Sequence, residues 1–80
     1  GLRAPDQGGG FSDELAHALS SLPEEFRTAV LLVTVEELSY GEVAEVMSCP
    51  IGTVRSRVAR GRALLGAALA ARRAEAFAKE

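Results

Sequence analysis

The chain has little with which to do covalent or metal chemistry. Its 80 residues hold one cysteine, Cys49, and one histidine, His17. One cysteine closes no internal disulfide, and one thiol with one imidazole falls short of a zinc ligand set. A lone thiol points to a reducing compartment, so the expected location is the cytoplasm. No apolar run reaches the 18 or so residues that a membrane span needs, and no stretch reads as a signal peptide. No glycine-rich phosphate loop and no pairing of nucleophile with base is present, so neither an enzyme nor a cofactor is expected. Tryptophan is absent, and aromatics make up 5% of the residues. Lysine is nearly absent too. Eight of the nine basic residues are arginine, whose planar fork suits phosphate and guanine better than lysine does.

What is present is an apolar fraction of 48%, mostly Ala, Leu and Val, which places the chain among globular proteins. Its length allows one small domain, and a chain this short buries only about 60% of its unfolded surface. The sequence opens on Gly1 rather than Met, so a domain cut from a longer protein is expected. The net charge is −2, but the charge is segregated. Between Ser12 and Met47 there are eight acids and one base, Arg27. Between Ile51 and Arg73 there are six arginines and no acid. At about 0.15 M salt a charge is screened beyond about 8 Å, so the local sign governs what each half attracts.

The pattern predicts an all-α fold, a small domain of four helices. Gly1–Gly10, with Pro5 and three consecutive glycines, reads as a linker over residues 1–11. Ser12 is placed to cap a first helix with Asp13 and Glu14 in its first turn, and Leu15, Ala18, Leu19 and Leu22 form its apolar stripe. Ser21-Leu-Pro-Glu24 fits a capping box that opens a second helix, expected from Pro23 to Glu36. Its centre, "AVLLVTV", has strand propensity, but no second β-rich run exists to pair with it. A helix apolar on most sides is expected to be central, packed all round. Ser39-Tyr-Gly-Glu42 is another capping box, before a third helix that carries Val43, Ala44 and Met47. After Ser48-Cys49-Pro50 a fourth helix runs from Ile51 to at least Leu65, and the alanine-rich remainder is expected to prolong it and fray near the end. The domain proper is expected over residues 12–69, with a helical or frayed tail over 70–80.

In the fourth helix, Ile51, Val54, Val58, Leu65 and Leu69 fall on one stripe at about 100° per residue, facing the core. Thr53, Ser56, Arg57 and Arg60 lie opposite, and Arg55 and Arg62 share a flank. Ala44 is small enough to let the fourth helix approach the third, and Val43, Met47 and Val54 hold the pair across a short turn. That is a C-terminal helix-turn-helix, whose second helix has the width of the DNA major groove. The glycine usual at the turn is replaced by Ser48, which tolerates the left-handed conformation less well.

Three blocks carry a family resemblance: Leu22-Pro-Glu-Glu-Phe-Arg27, Leu38-Ser-Tyr-Gly-Glu-Val-Ala44, and Cys49-Pro-Ile-Gly-Thr-Val-Arg-Ser-Arg57 with Arg60 and Arg62. Over roughly Leu15 to Leu65 the chain resembles region 4 of bacterial RNA polymerase sigma factors, the extracytoplasmic-function (ECF) group above all. The resemblance implies binding of double-stranded promoter DNA at the minus-35 element. It implies that Arg55, Ser56, Ala59 and Arg60 face bases or the adjoining backbone, and that Gly52, Thr53 and Arg57 lie close to phosphates. Ala59 is smaller than the residue found there in other members. Arg27, Ser39 and Tyr40 would add backbone contacts. The implied protein partners are the flap of the polymerase β subunit and an anti-sigma factor, both docking on apolar surface. Leu31, Leu32, Val35 and Leu64 read either as core or as that partner surface.

Other readings stand beside this one. A response-regulator output domain shares the helix-turn-helix but dimerises on paired half-sites. A protein-binding helical module would spend its arginines on acidic partners. His17 reads as a surface residue, Cys49 as a small residue packed inward at the turn, Glu36-Glu37 as an exposed helix end, and Tyr40 as a helix anchor.

Overall fold

The computed structural model describes residues 13–79, and the four expected helices are there: α1 (Asp13–Ser20), α2 (Glu24–Thr34), α3 (Tyr40–Met47) and α4 (Ile51–Lys79). No strand occurs among the described residues. The linker expected over 1–11 and the Ser12 cap lie outside them.

The apolar stripe of α1 is used as its spacing requires. Ala18, Leu19 and the following Leu22 are buried, and Leu15 is half-buried. The box expected at Ser21 does not form. The Ser21 hydroxyl turns back and donates to the Ala18 carbonyl at 2.6 Å. The N-cap of α2 is Pro23, with no side-chain cap, so the helix begins two residues later than that box requires. Pro23 instead starts α2 through its carbonyl, which accepts from the Phe26 and Arg27 N–H groups. At the far end α2 stops at Thr34, short of the expected Glu36. Glu37 takes φ 58°, and the Val35 and Glu36 N–H groups both return to the Leu31 carbonyl.

The box at Ser39 forms in full. Ser39 Oγ accepts from the Glu42 N–H at 3.1 Å, and the Glu42 carboxylate accepts from the Ser39 N–H at 2.8 Å. At the other end of α3, Ser48 sits in the left-handed region at φ 55°, ψ 50°. The Cys49 N–H bonds to the Ala44 carbonyl at 3.0 Å. A left-handed residue with a six-to-one hydrogen bond is a Schellman ending. It turns the chain sharply enough for Pro50 to open α4, its carbonyl accepting from Thr53 and Val54.

The hub is α4, not α2. It packs against α1, α2 and α3, and its length explains the 45 Å long axis of the molecule, since 29 helical residues span about 43 Å. The core brings together Ala29 of α2, Val43 of α3, and Val54 and Val58 of α4, with Leu32, Val33, Leu38, Tyr40, Ala44, Met47 and Cys49 packed against it. The expectation of an α2 packed all round is corrected. Ala29 and Val30 are buried, but Leu31, Leu32 and Val33 are half-buried and Val35 is exposed. Only α3 and α4 cover this helix substantially, so one apolar side stays open. Ile51 is corrected as well. As the first residue of α4 it lies ahead of the point where the helix enters the core, and it is 44% exposed. Leu65 and Leu69, further along the expected stripe, are half-buried.

Candidate nucleic-acid interface

The site is one face of α4, and the opposite face fixes its orientation. Val54 and Val58 are buried at 0% and 1% exposure. One turn on, Gly61 is buried too. A Cβ built there would stand 2.5 Å from Val30 Cγ2 and 3.1 Å from the Phe26 carbonyl oxygen. The backbones of α2 and α4 therefore cross at Gly61 with no room for a side chain. Three contacts in succession set the rotation of α4, and every residue on the far side is turned outward by the same amount.

Arg55, Ser56, Ala59, Arg60 and Arg62 are exposed on that outward arc. Among the described residues no ion pair engages Arg55, Arg57, Arg60 or Arg62; the pair the structure makes is Arg73 with Glu14 at 3.8 Å, near the other end of α4. These guanidiniums are thus unneutralised, and those of Arg55, Arg60 and Arg62 belong to exposed residues. Thr53 and Arg57 sit at the edge of the arc, half-buried. Arg57 leans back over the turn, its Nη1 4.0 Å from Cys49 Sγ, which aligns its charge beside the start of α4. Cys49 is half-buried against the core, as a small inward turn residue should be. Gly52 is exposed, and a Cβ there would meet nothing within 4 Å. The fold therefore does not demand a glycine at the first turn of α4, whereas a backbone or phosphate pressed against that turn would.

The remaining DNA candidates have work inside the fold. Ser39 is engaged in its capping box. Tyr40, first residue of α3, is half-buried against the core, which fits an anchor. Arg27 donates from Nη1 to the Leu22 carbonyl at 3.2 Å and the Ser20 carbonyl at 3.5 Å. It satisfies the carbonyls left open at the end of α1, a site where a cation is favoured.

The four apolar candidates separate into two places. Leu31, Leu32 and Val35 line one shallow groove on α2 with Thr28 and Glu36. Leu64 lies apart from them on the arginine arc of α4, in a shallow, open patch with Ser56, Ala59, Arg60 and Ala63. Sequence reasoning did not single out Gly61. Its signal was a lone glycine inside a helical pattern, which marks close approach, but the partner on the other side was not visible along the chain. Val46, 61% exposed on α3, was likewise not singled out.

With this geometry in place, comparison with known proteins gives a consistent result. A family model described as Sigma-70, region 4 matches residues 12–65. The chain is similar to the ECF RNA polymerase sigma-E factor of Haemophilus influenzae, 49% identical over 47 residues that cover 59% of this chain and 25% of that protein. It is 51% identical over 51 residues to the RNA polymerase sigma-H factor of Pseudomonas aeruginosa, covering 64% and 26%. To the ECF RNA polymerase sigma-E factor of Escherichia coli K12 it is 52% identical over 44 residues, covering 55% and 23%. The matches span about a quarter of the length of these curated relatives.

Proposed function

We propose that this chain, which belongs to the sigma-70 region 4 family, reads the minus-35 element of promoters for an ECF sigma factor and docks that factor on RNA polymerase. The observation that carries this is the unneutralised arginine arc of α4, turned outward by the contacts at Val54, Val58 and Gly61. In the major groove, Arg55 and Arg60 are positioned for guanine edges, where a bidentate contact gives about 1–3 kcal/mol of discrimination. Gly52, Thr53 and Arg57, at the positively polarised start of α4, take phosphates. The module does no chemistry. It supplies recognition, and a single helix-turn-helix of this size buries only about 600–1,000 Å² on DNA, so the isolated domain binds weakly.

The test is fluorescence anisotropy with a pool-selected duplex and a scrambled one, at two salt concentrations. The expected result is preference for the selected duplex and a steep fall of affinity with salt. Arg60→Ala should cost about 1–3 kcal/mol on the selected duplex and relax preference at one base position. Equal loss on both duplexes would make Arg60 a phosphate contact. Dimers on palindromic sites would favour the response-regulator reading instead, and Arg55 and Arg60 charge reversals that leave DNA binding intact would favour a protein-binding module.

The open side of α2 supports the second half of the proposal. Leu31 and Leu32, half-buried, and Val35, exposed, leave a partly open apolar groove on this side, and the polymerase β flap and an anti-sigma factor are the partners assigned to it. Both would bind there in turn, in the cytoplasm.

A further inference from the structure

The arginine arc is not uniformly polar. Among its guanidiniums lies a shallow, largely open patch of Ser56, Ala59, Arg60, Ala63 and Leu64, all five residues contributed by α4 and all exposed. Ser56, Ala59 and Ala63 have short side chains and form its floor. Leu64, 38% exposed, and the aliphatic stem of Arg60 rise beside it. Leu64 meets neither the core cluster nor the α2 groove, so the fold gives it no reason to be apolar. Ser56 and Arg60 bring donors to the edges of this shallow hollow, but Ala59, Ala63 and Leu64 make most of it apolar, with nothing there for a phosphate to accept from. It suits a surface that is anionic overall and carries a small apolar projection. The major groove has one such projection, the C5 methyl group of thymine.

We propose that this hollow seats a thymine methyl beside the base contacted by Arg60, making Ala59, with Leu64 at its rim, a specificity determinant for thymine at one position of the duplex. The proposal rests on α4 being a major-groove helix, and its occupant follows from charge. The arc bears Arg55, Arg60 and Arg62 without an acidic partner among the described residues, and no acid lies between Ile51 and Arg73. A small residue at position 59 is what opens the hollow, since a larger side chain there would fill it.

The experiment uses the full chain and the selected duplex, with each thymine replaced in turn by deoxyuridine. This removes the methyl and keeps the hydrogen-bonding edge. One position should lose about fourfold in affinity, the effect of burying one methyl group, and the others little. Ala59→Ser should bring the thymine and deoxyuridine duplexes to equal affinity at that position, and Leu64→Ser should narrow the gap. An effect on structure alone would weaken both duplexes together and leave their ratio unchanged, which would overturn the proposal. Sequence-specific binding with no deoxyuridine-sensitive position would overturn it while leaving the promoter-reading function standing. Equal affinity for selected and scrambled duplexes would overturn both.

Discussion

Ser48 holds the α3–α4 turn in a conformation that costs an L-residue about 1 kcal/mol or more and costs glycine almost nothing. Ser48→Gly should therefore raise stability by about 0.5–1 kcal/mol in urea unfolding. Ser39→Ala should lower it by about 1 kcal/mol, because both halves of the capping box are made and the loss leaves an N–H of α3 unsatisfied. Gly61 and Gly66 make a paired test. Both lie within α4, where alanine is the better helix former by about 1 kcal/mol. A Cβ at Gly66 would meet nothing within 4 Å, but at Gly61 it would strike Val30 and the Phe26 carbonyl. Gly66→Ala should raise the unfolding midpoint and Gly61→Ala should lower it, since the carbonyl belongs to helix backbone and has little room to yield. These residues also mark what was legible along the chain. The Ser39 box and the Ser48 turn are local signals, complete within a few residues, and both read correctly. The Ser21 box has the right letters, but its hydroxyl had a closer acceptor behind it in Ala18. Gly61 answers to residues about 30 positions away, which no local pattern shows.

At the scale of elements, α2 and α4 exchange the roles their compositions suggest. The sequence of α2 is apolar on most sides through its second half, yet one side is open. The sequence of α4 is rich in arginine and alanine, yet it is the helix the other three pack on. Periodicity correctly separates the inward Val54 and Val58 from the outward Arg55 and Arg60, because burial needs only one face and the arginines avoid it. It does not show how many neighbours a helix has. The open side of α2 gives a paired prediction. Leu32 packs against the core, so Leu32→Asp should abolish cooperative unfolding. Val35 is 49% exposed, so Val35→Asp should leave the unfolding midpoint nearly unchanged while weakening binding of a β-flap fragment at least tenfold in a pull-down titration. Normal flap binding by a folded Val35→Asp protein would remove this groove from the docking surface.

The whole molecule is a thin slab, 45 × 33 × 15 Å, with most of its acids before α4 and, among the described residues, every arginine but Arg27 on α4. Its later α4 residues carry little of the fold. Residues 74–78 are exposed, Phe77 at 79%, and the Arg73–Glu14 pair is solvated on both sides, which makes it worth less than about 1 kcal/mol. Truncation after Arg73 should reduce helical circular dichroism while leaving the urea midpoint within experimental spread. The composition told that this stretch would be helical, since alanine is the strongest helix former. It also told that the stretch would prolong the fourth helix, and α4 runs on unbroken from the arginine arc to Lys79. That continuity makes α4 a shaft with a single rotational phase. Each residue adds about 100° of turn and 1.5 Å of advance, so one residue inserted after Leu65 would swing Arg72, Arg73 and Phe77 by more than a quarter turn without moving Arg60. Anything that grips the far end of the shaft is clocked to the arginine arc at the near end, and under the proposed function a probe fixed there would report the bearing of the whole domain on its duplex.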